Sequence, residues 1–203
     1  MARGPDPWQP LDWALAGPDG TFGNRFDDPD GAYRVLYASS QRLGCYLETL
    51  ARFRVDPTLL AELAEIAGED DFTPFGHVPS EWAEPRMLGW ATHYGSYADV
   101  YGDEWIAILN RDLAAECLQL GIADLNAGVL QQTGLRALTQ RASRLVYNSA
   151  FDGILYLSRY GPNIRNWALF EPFRINTQGA ARLDLGDPDL REALAVHHLQ
   201  LAA

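Results

Sequence analysis

Apolar residues recur at helical spacing in two long stretches in the second half of the chain. The first stretch follows Asp103 and the second ends near Ser149. Their apolar members are Ile106, Leu109, Leu113, Cys117 and Leu120 in the first, and Leu135, Leu138, Ala142 and Leu145 in the second. A separation of three or four residues places such side chains on one face of a helix. The pattern therefore predicts one helix that begins at Asp103 and another over residues 135–149.

Shorter signals predict three further helices. Ser39 or Ser40 can cap a helix over about residues 41–53, because a serine oxygen accepts a hydrogen bond from the first helical turn. Pro57 begins an apolar stretch over 57–67, and proline is favoured in the first turn of a helix. The C-terminal residues are predicted to include a terminal helix.

Runs rich in β-branched and aromatic residues predict strands. The runs are "LDWAL" (11–15), "YRVLYA" (33–38), "PRMLGWAT" (85–92), "GILYLS" (153–158) and "WALFEPFRI" (167–175). The stretch "SYADVYG" (96–102) is interpreted as a turn-rich loop. Since strands and helices interleave without the strict repeat of a doubly wound fold, the chain is predicted to be α+β with a central mixed sheet.

The length of 203 residues fits one domain, and 47% hydrophobic residues are sufficient for a core. The predicted domain covers 1–203, with an irregular lead-in over 1–19, a core over 20–173 and a C-terminal extension over 174–203. Its apolar runs are far shorter than the about 20 residues that cross a bilayer. Because the N-terminus also lacks an apolar signal core, we expect a cytoplasmic protein.

The formal net charge of −11 argues against binding to nucleic acid or to an anionic membrane, since both require a basic face. All 16 basic residues are arginine, so an anionic ligand would be bound by local arginines. Cys45 and Cys117 lie among apolar neighbours and are expected to be buried, reduced thiols.

The chain does not contain the known sequence motifs of metal-binding or dinucleotide-binding sites. The glycines of "GPDGTFG" (17–23) lack the spacing and flanking elements of a dinucleotide fingerprint. A calcium loop that began at Asp28 would need a glutamate at its twelfth position, where the chain has Ser39. The histidines lack zinc spacing, and no "GxSxG" elbow is present. We therefore expect no metal and no bound cofactor.

Polar side chains gather where the predicted strand over 153–158 ends. They are Ser158, Arg159, Asn163, Arg165 and Asn166. A turn between strands needs glycine or proline, which Gly161 and Pro162 supply. It needs neither the arginines nor the serine. Because loops on a rigid sheet often carry binding groups, the stretch is interpreted as one wall of a site for an anion.

Three residues nearer the N-terminus complete the candidate constellation. Arg25 lies in "GNRF", Tyr37 ends a predicted strand, and Glu48 lies within an otherwise apolar helical stretch. A carboxylate on a buried helix face must be paired or used in chemistry. The alternative is that Glu48 belongs to a solvated helix face.

Together these elements resemble the RES-domain family, named for an Arg, a Glu and a Ser. Its members include toxins of bacterial toxin–antitoxin pairs that destroy NAD. The family pattern has an Arg before an aromatic residue, a Tyr before an Ala, a later Glu and a "Y-x-S-R" element. This chain matches it with Arg25, Tyr37, Glu48 and Tyr156–Arg159, over about residues 20–173. The resemblance implies a fold similar to that of ADP-ribosyltransferases.

The resemblance also implies that NAD is the substrate and that its nicotinamide glycosidic bond is cleaved. The implied roles are pyrophosphate binding for Arg25, Arg34 and Arg159, charge stabilisation at the ribose for Glu48, a flat binding face for Tyr37 and a hydroxyl contact for Ser158. Arginine suits the first role because its planar donors bind phosphate bidentately. A carboxylate suits the second because the sugar becomes cationic in the transition state.

The acceptor decides the reaction, and the sequence leaves it open. Water would make the protein an NAD glycohydrolase, inorganic phosphate an NAD phosphorylase, and a protein side chain an ADP-ribosyltransferase. Family members commonly have a further arginine near the N-terminus, where this chain has Ala14. A weakly active or non-catalytic binding module is therefore the alternative. Expected partners are NAD and a cognate antitoxin, and the chain is a candidate for homo-oligomer formation.

Overall fold

The computed structural model describes residues 2–3, 6–18, 20–55, 58, 76–132 and 134–202, and its class is α+β. The strands are β1 (Ala2–Arg3), β2 (Val35–Ser39), β3 (Gly76–Val78), β4 (Arg86–Tyr94), β5 (Tyr97–Asp99), β6 (Gly153–Leu157), β7 (Arg165–Phe170), β8 (Arg174–Arg182) and β9 (Leu199–Leu201). The α-helices are α1 (Arg42–Leu50), α2 (Asp103–Asp112), α3 (Ala114–Gln119), α4 (Ala127–Leu130), α5 (Arg136–Asn148) and α6 (Pro188–Val196). The α+β prediction is confirmed.

The chain divides into two compact units. The first comprises Met1–Pro7, Gln41–Leu88 and Ala180–Ala203, and the second comprises Trp8–Ser40 and Gly89–Gly179. The predicted single domain over 1–203 stays a prediction.

The second unit is built on a four-stranded sheet in the order β2–β7–β6–β5. β7 pairs antiparallel with both β2 and β6, whereas β5 pairs parallel with β6. The sheet is therefore mixed, as predicted. The strands of the described residues also form a three-stranded sheet, β1–β4–β8, and the pair β3–β9.

One face of the mixed sheet carries the core of the second unit. Ala98, Ile154 and Ala168 lie side by side on β5, β6 and β7, and all three are fully buried. Buried residues from α2 and α5 belong to the same core: Trp105, Leu109, Leu138, Ala142 and Val146. The α5 residues among them follow the helical spacing read from the sequence, so burial of this face stabilises α5 against the sheet.

In the first unit, α1 packs against α6. The buried Tyr46 hydroxyl donates to Asp187 Oδ2 at 3.1 Å, and Asp187 caps α6 by accepting a hydrogen bond from the Asp189 N–H. β3 and β9 pair in parallel. The buried His197 follows α6, and its Nε2 donates to the Leu47 carbonyl on α1 at 2.8 Å.

The stability of the protein is expected to fall in mild acid because of His197. Burial lowers the pKa of His197, against the opposing effect of the Leu47 carbonyl. The folded state therefore favours the neutral ring, and this contribution is fully present above the ordinary pKa of 6.5. It is lost as pH falls through the lowered pKa.

Chemical denaturation at several pH values measures this effect. His197→Gln keeps an amide donor for Leu47 but cannot titrate, so its free energy of unfolding should fall less between pH 7.5 and 5.5 than that of the wild type. His77→Gln, at an exposed position on β3, is the control. Equal acid sensitivity of His197→Gln and wild type would contradict the prediction.

Several predicted elements agree with the structure within about two residues. They are the strands at β2, β4 and β6 and the helices at α1 and α5, of which α1 continues as a 3-10 turn over Ala51–Phe53. The terminal helix, predicted without bounds, is α6. The helix predicted over 57–67 lies outside the described residues, apart from Thr58.

Two strand predictions were wrong in whole or in part. "LDWAL" forms a 3-10 turn over Trp13–Leu15, because the Asp12 side chain accepts a hydrogen bond from the Ala14 N–H and bends the backbone locally. "WALFEPFRI" is not one strand, since β7 ends at Phe170 before a cis Glu171–Pro172 bond and β8 begins at Arg174.

Two further predictions also need correction. "SYADVYG" contains β5, which forms because its backbone pairs with β6 more than fifty residues later. The helix from Asp103 is interrupted at Leu113, whose φ of −110° and ψ of 17° are not helical, and it continues as α3.

Cys117 is buried as expected, but Cys45 is only half-buried. None of the described helices is long and apolar enough to cross a membrane.

Candidate functional site

A row of polar side chains crosses one end of the mixed sheet in the second unit. Ser39 on β2 pairs with Asn166 on β7, and Asn166 pairs with Tyr156 on β6. These residues share the face that carries the core, because side chains two positions apart on a strand point to the same side. Asn166 and Tyr156 are buried, and the buried Ser39 Oγ makes no hydrogen bond within the described part of the chain. Buried polar groups are costly, so such a row is a candidate for binding.

Ser158 continues the same face just beyond β6. Its side chain is buried, and its Oγ accepts a hydrogen bond from the Tyr160 N–H at 3.1 Å. Its own N–H donates to the Ile164 carbonyl at 2.9 Å. The predicted site serine therefore lies beside the polar row, where its hydroxyl also stabilises the turn into β7.

Arg25 lies next to this end of the sheet. Its guanidinium is about 6.0 Å from the centre of the Tyr156 ring and 5.7 Å from that of Phe26. Nη2 donates to the Leu130 carbonyl at 2.8 Å, and Nη1 lies 3.5 Å from the Tyr101 hydroxyl. The structure therefore places Arg25 between the rings of Phe26 and of Tyr156 on β6 and the C-terminal end of α4.

Arg159 approaches the same end of α4 from the β6–β7 loop. Its Nη1 donates to the Gln131 carbonyl at 3.3 Å, and its Nη2 donates to the Tyr160 hydroxyl at 3.1 Å. Its Nε is buried and makes no hydrogen bond to any residue that the structure describes. Arg25 and Arg159 thus bind consecutive backbone carbonyls, whose partial negative charge at a helix C-terminus attracts cations.

Three side chains of α5 hold the loop that carries Arg25. Arg136 donates to the Gly23 carbonyl at 2.9 Å, and Gln140 donates to the Asn24 carbonyl at 3.1 Å. Ser143 Oγ donates to the Phe26 carbonyl at 2.7 Å. Because the three donors are separated by four and three residues, they lie on one face of α5. The loop is therefore fixed along its length.

Tyr37 and Asp27 fasten the loop from the other side. The Tyr37 hydroxyl donates to Asp27 Oδ1 at 2.9 Å and accepts from the Phe26 N–H at 2.9 Å. Asn24 donates to Asp27 Oδ2 through both its backbone and its side chain, each at 2.8 Å. Burial raises the pKa of Asp27, against the effect of these hydrogen bonds, and raises the pKa of Tyr37 well above its ordinary value. Tyr37, predicted as a binding face, has a hydroxyl committed to positioning the Arg25 loop.

Arg34, a further predicted phosphate ligand, forms a two-pronged ion pair with Glu171. Its Nε lies 2.6 Å from Glu171 Oε2, and its Nη2 bonds the other carboxylate oxygen. Its Nη1 donates to the Leu11 carbonyl at 3.2 Å. These hydrogen bonds lower the pKa of Glu171. Among the hydrogen bonds of the described residues, those of Arg34 do not join it to Arg25 or Arg159.

Glu48 belongs to the first unit, on the last turn of α1. It is half-buried, between the buried Leu47 and Leu50. The preceding carbonyl, that of Leu47, accepts hydrogen bonds from both Ala51 and His197. The sequence placed Glu48 within an apolar helical stretch, whereas the structure places it in the last turn of α1; its role stays a prediction.

Sequence reasoning missed three residues that shape the site. The sequence predicted Ser39 only as a helix cap and assigned no role to Asp27 or to Asn126, the N-cap residue of α4. The "GNRFD" sequence does contain a signal for Asp27, since an Asn and an Asp three residues apart favour a local turn. Nothing in the sequence aligns Ser39 with Asn166, because that pairing depends on the register of β2 and β7.

The described residues contain no cluster of three or more histidine, cysteine, aspartate or glutamate side chains that could hold a metal ion. Comparisons with protein-family models, with curated proteins and with solved structures found no match to this chain.

Proposed function

We propose that this protein is an NAD-degrading enzyme that resembles the RES-domain family and cleaves the nicotinamide glycosidic bond. The observation that carries this proposal is the convergence of Arg25 and Arg159 at the C-terminal end of α4. Two guanidinium groups that bind adjacent carbonyls retain further N–H donors for a ligand. A pyrophosphate, with oxygens on two neighbouring phosphorus atoms, is an anion that such a pair can bind from two sides.

The chemistry requires positioning and charge rather than a strong acid. Nicotinamide is already cationic while bound in NAD and leaves as a neutral molecule, so positive charge develops on the ribose. In this proposal Arg25 and Arg159 hold the pyrophosphate, the aromatic residues beside Arg25 provide apolar contact, and Ser158 contacts the ribose or a phosphate. Glu48 stabilises the cationic ribose, an assignment that rests on the resemblance alone.

The resemblance supports two finer points of the proposal. The mixed sheet would be of the ADP-ribosyltransferase type, and the acceptor would be water or inorganic phosphate. Phosphorolysis belongs to the proposal because Arg159 and Arg165 lie close to Ser158 in the sequence and arginine is a good ligand for phosphate. Transfer of ADP-ribose to a protein side chain is the third outcome of the same bond cleavage.

Product analysis tests the proposal directly. Purified protein is incubated with NAD, with and without inorganic phosphate, and the products are identified by mass. We expect free nicotinamide together with ADP-ribose in water or a phosphorylated ADP-ribose when phosphate is present. Complete recovery of NAD under both conditions, with protein that is folded by circular dichroism, would exclude the activity.

Arg25 is expected to contribute mainly to binding. Arg25→Ala should weaken the affinity for ADP-ribose, which carries the same pyrophosphate and is not consumed, by about 10- to 100-fold, because a charge-assisted hydrogen bond contributes about 1.5–3 kcal/mol. Arg25→Lys should restore only part of this loss, since an ammonium group lacks the planar donor pair. Isothermal titration calorimetry with ADP-ribose measures the affinity of each variant.

The exposed Arg141 on α5 provides the control for Arg25. Arg141→Ala removes the same charge from the same unit and should leave the affinity unchanged. Full recovery of affinity in Arg25→Lys would show that charge, rather than donor geometry, accounts for the interaction.

An active form would require control by a partner. A cytoplasmic enzyme that consumes NAD would harm its own cell, and the resemblance includes toxins neutralised by an antitoxin. In this proposal the antitoxin would present a carboxylate to Arg25 and Arg159 in place of the pyrophosphate. Expression of the chain alone should then arrest growth and deplete NAD, and normal growth with abundant folded protein would remove the need for an antitoxin.

A non-catalytic binding module is the second candidate. The pairing of Arg34 with Glu171 favours it, because this predicted phosphate ligand already has an anionic partner. The chain also has Ala14 at the place where the family commonly has a further arginine. Binding of ADP-ribose without any turnover of NAD would support this candidate.

A further inference from the structure

α4 is a single helical turn, yet it binds both arginines of the candidate site. The Leu130 carbonyl accepts from Arg25 Nη2, and the next carbonyl, of Gln131, accepts from Arg159 Nη1. Two guanidinium groups repel each other when they approach a common point. The C-terminal carbonyls of a helix oppose this repulsion through their partial negative charge.

A helix of four residues is not stable through its own backbone hydrogen bonds, because the first turn of a helix is costly to form. Three groups stabilise it here. Leu125, just before α4, and Leu130, its last residue, are buried in the core. The Asn110 side chain on α2 bonds both the N–H and the carbonyl of Leu125. Asn126 caps α4, since its Oδ1 accepts from the Val129 N–H at 3.1 Å.

We infer that Asn126 is a positioning residue for the anion site, which acts through α4 on Arg25 and Arg159. This inference rests on the proposed function, because it assigns the pair of arginines to a pyrophosphate. The cap fixes the start of the turn, and the start of so short a turn fixes the direction of its last carbonyls. Those carbonyls in turn hold the two guanidinium groups together before the ligand binds, so the ligand does not have to overcome their repulsion.

Loss of the cap should therefore weaken binding without affecting the reacting bond. Asn126→Ala should raise the Kd for inorganic pyrophosphate and the KM for NAD by about fivefold each, and should leave kcat unchanged. Asn126→Ser retains an oxygen that accepts from the first helical turn, and should remain within about twofold of the wild type.

Asp124 provides a matched control. Among the residues that the structure describes, its carboxylate accepts one long hydrogen bond, of 3.4 Å, from the Asn126 side-chain amide. Asp124→Ala removes that exposed contact and leaves the cap in place, so the Kd for pyrophosphate should not change. Thermal unfolding of each variant verifies that the chain is folded.

Titration calorimetry with inorganic pyrophosphate, followed by NAD kinetics, distinguishes the inference from the proposed function. If the wild type binds pyrophosphate but leaves NAD intact, the proposed function is excluded and the inference stands. An unchanged Kd in Asn126→Ala overturns the inference. A loss that Asn126→Ser does not restore, a fall in kcat at constant KM, or a wild type that does not bind pyrophosphate also overturns it.

Discussion

Under the proposed function, Glu48→Ala is expected to lower kcat for NAD cleavage by about 10²- to 10³-fold and to leave the KM within a fewfold of the wild-type value. A carboxylate that faces the ribose interacts weakly with neutral ribose in the bound substrate. Its attraction grows as the nicotinamide leaves and positive charge develops on the sugar, so its removal affects the transition state more than substrate binding. Initial rates of nicotinamide release over a range of NAD concentrations separate the two parameters.

A second glutamate in the same unit provides the control for Glu48. Glu192 lies on α6 and is exposed, so Glu192→Ala removes a helical carboxylate without changing the buried end of α1. Its kcat should equal that of the wild type. Undiminished turnover in Glu48→Ala would show that another carboxylate, or none, performs this role.

Gly153→Ala is expected to destabilise the second unit by about 3 kcal/mol or more. Gly153 begins β6 and is fully enclosed, and a Cβ atom there would lie 2.3 Å from the Ala168 carbonyl oxygen. That oxygen belongs to the backbone of β7, which pairs with both β2 and β6, so it cannot move without breaking the sheet. The free energy of unfolding from denaturant titration measures the effect.

Gly134→Ala is the matched substitution. Gly134 lies in the same unit, and a Cβ atom there would meet nothing within 4 Å. Its free energy of unfolding should remain within about 0.5 kcal/mol of the wild type. A Gly153→Ala variant as stable as Gly134→Ala would mean that β6 and β7 are not packed as closely as their register indicates.

The predictions that agreed with the structure concern elements whose signal is local. α5 follows a regular apolar period, and two residues of that period, Leu138 and Ala142, are buried in the core. β2 and β6 are short runs rich in branched and aromatic residues, and such runs favour a pleated, half-buried surface. In these segments the local conformational preference of the sequence agrees with the conformation that buries the apolar side chains. The sequence alone was therefore sufficient to predict these elements.

The predictions that failed concern segments in which a specific contact overrides the average preference. Asp12 bends the apolar stretch around Trp13 into a 3-10 turn through one side-chain hydrogen bond. β5 contains only three residues and becomes a strand because it pairs with β6. A three-residue segment has little preference of its own, so its conformation depends on a partner that is distant in the chain.

The sequence by itself determined the residue types and the motif order that predict a site, and from these it singled out Arg25, Arg34, Tyr37, Glu48, Ser158 and Arg159. Only the tertiary structure decided how they are arranged. The register of β2, β7 and β6 aligns Ser39, Asn166 and Tyr156, and the end of α4 brings Arg25 and Arg159 together. The physical reason is that a local sequence pattern fixes the periodicity of a helix or strand and the chemical type of its side chains. The register between strands and the long-range hydrogen bonds form only when the core packs, because each buried donor then requires an acceptor.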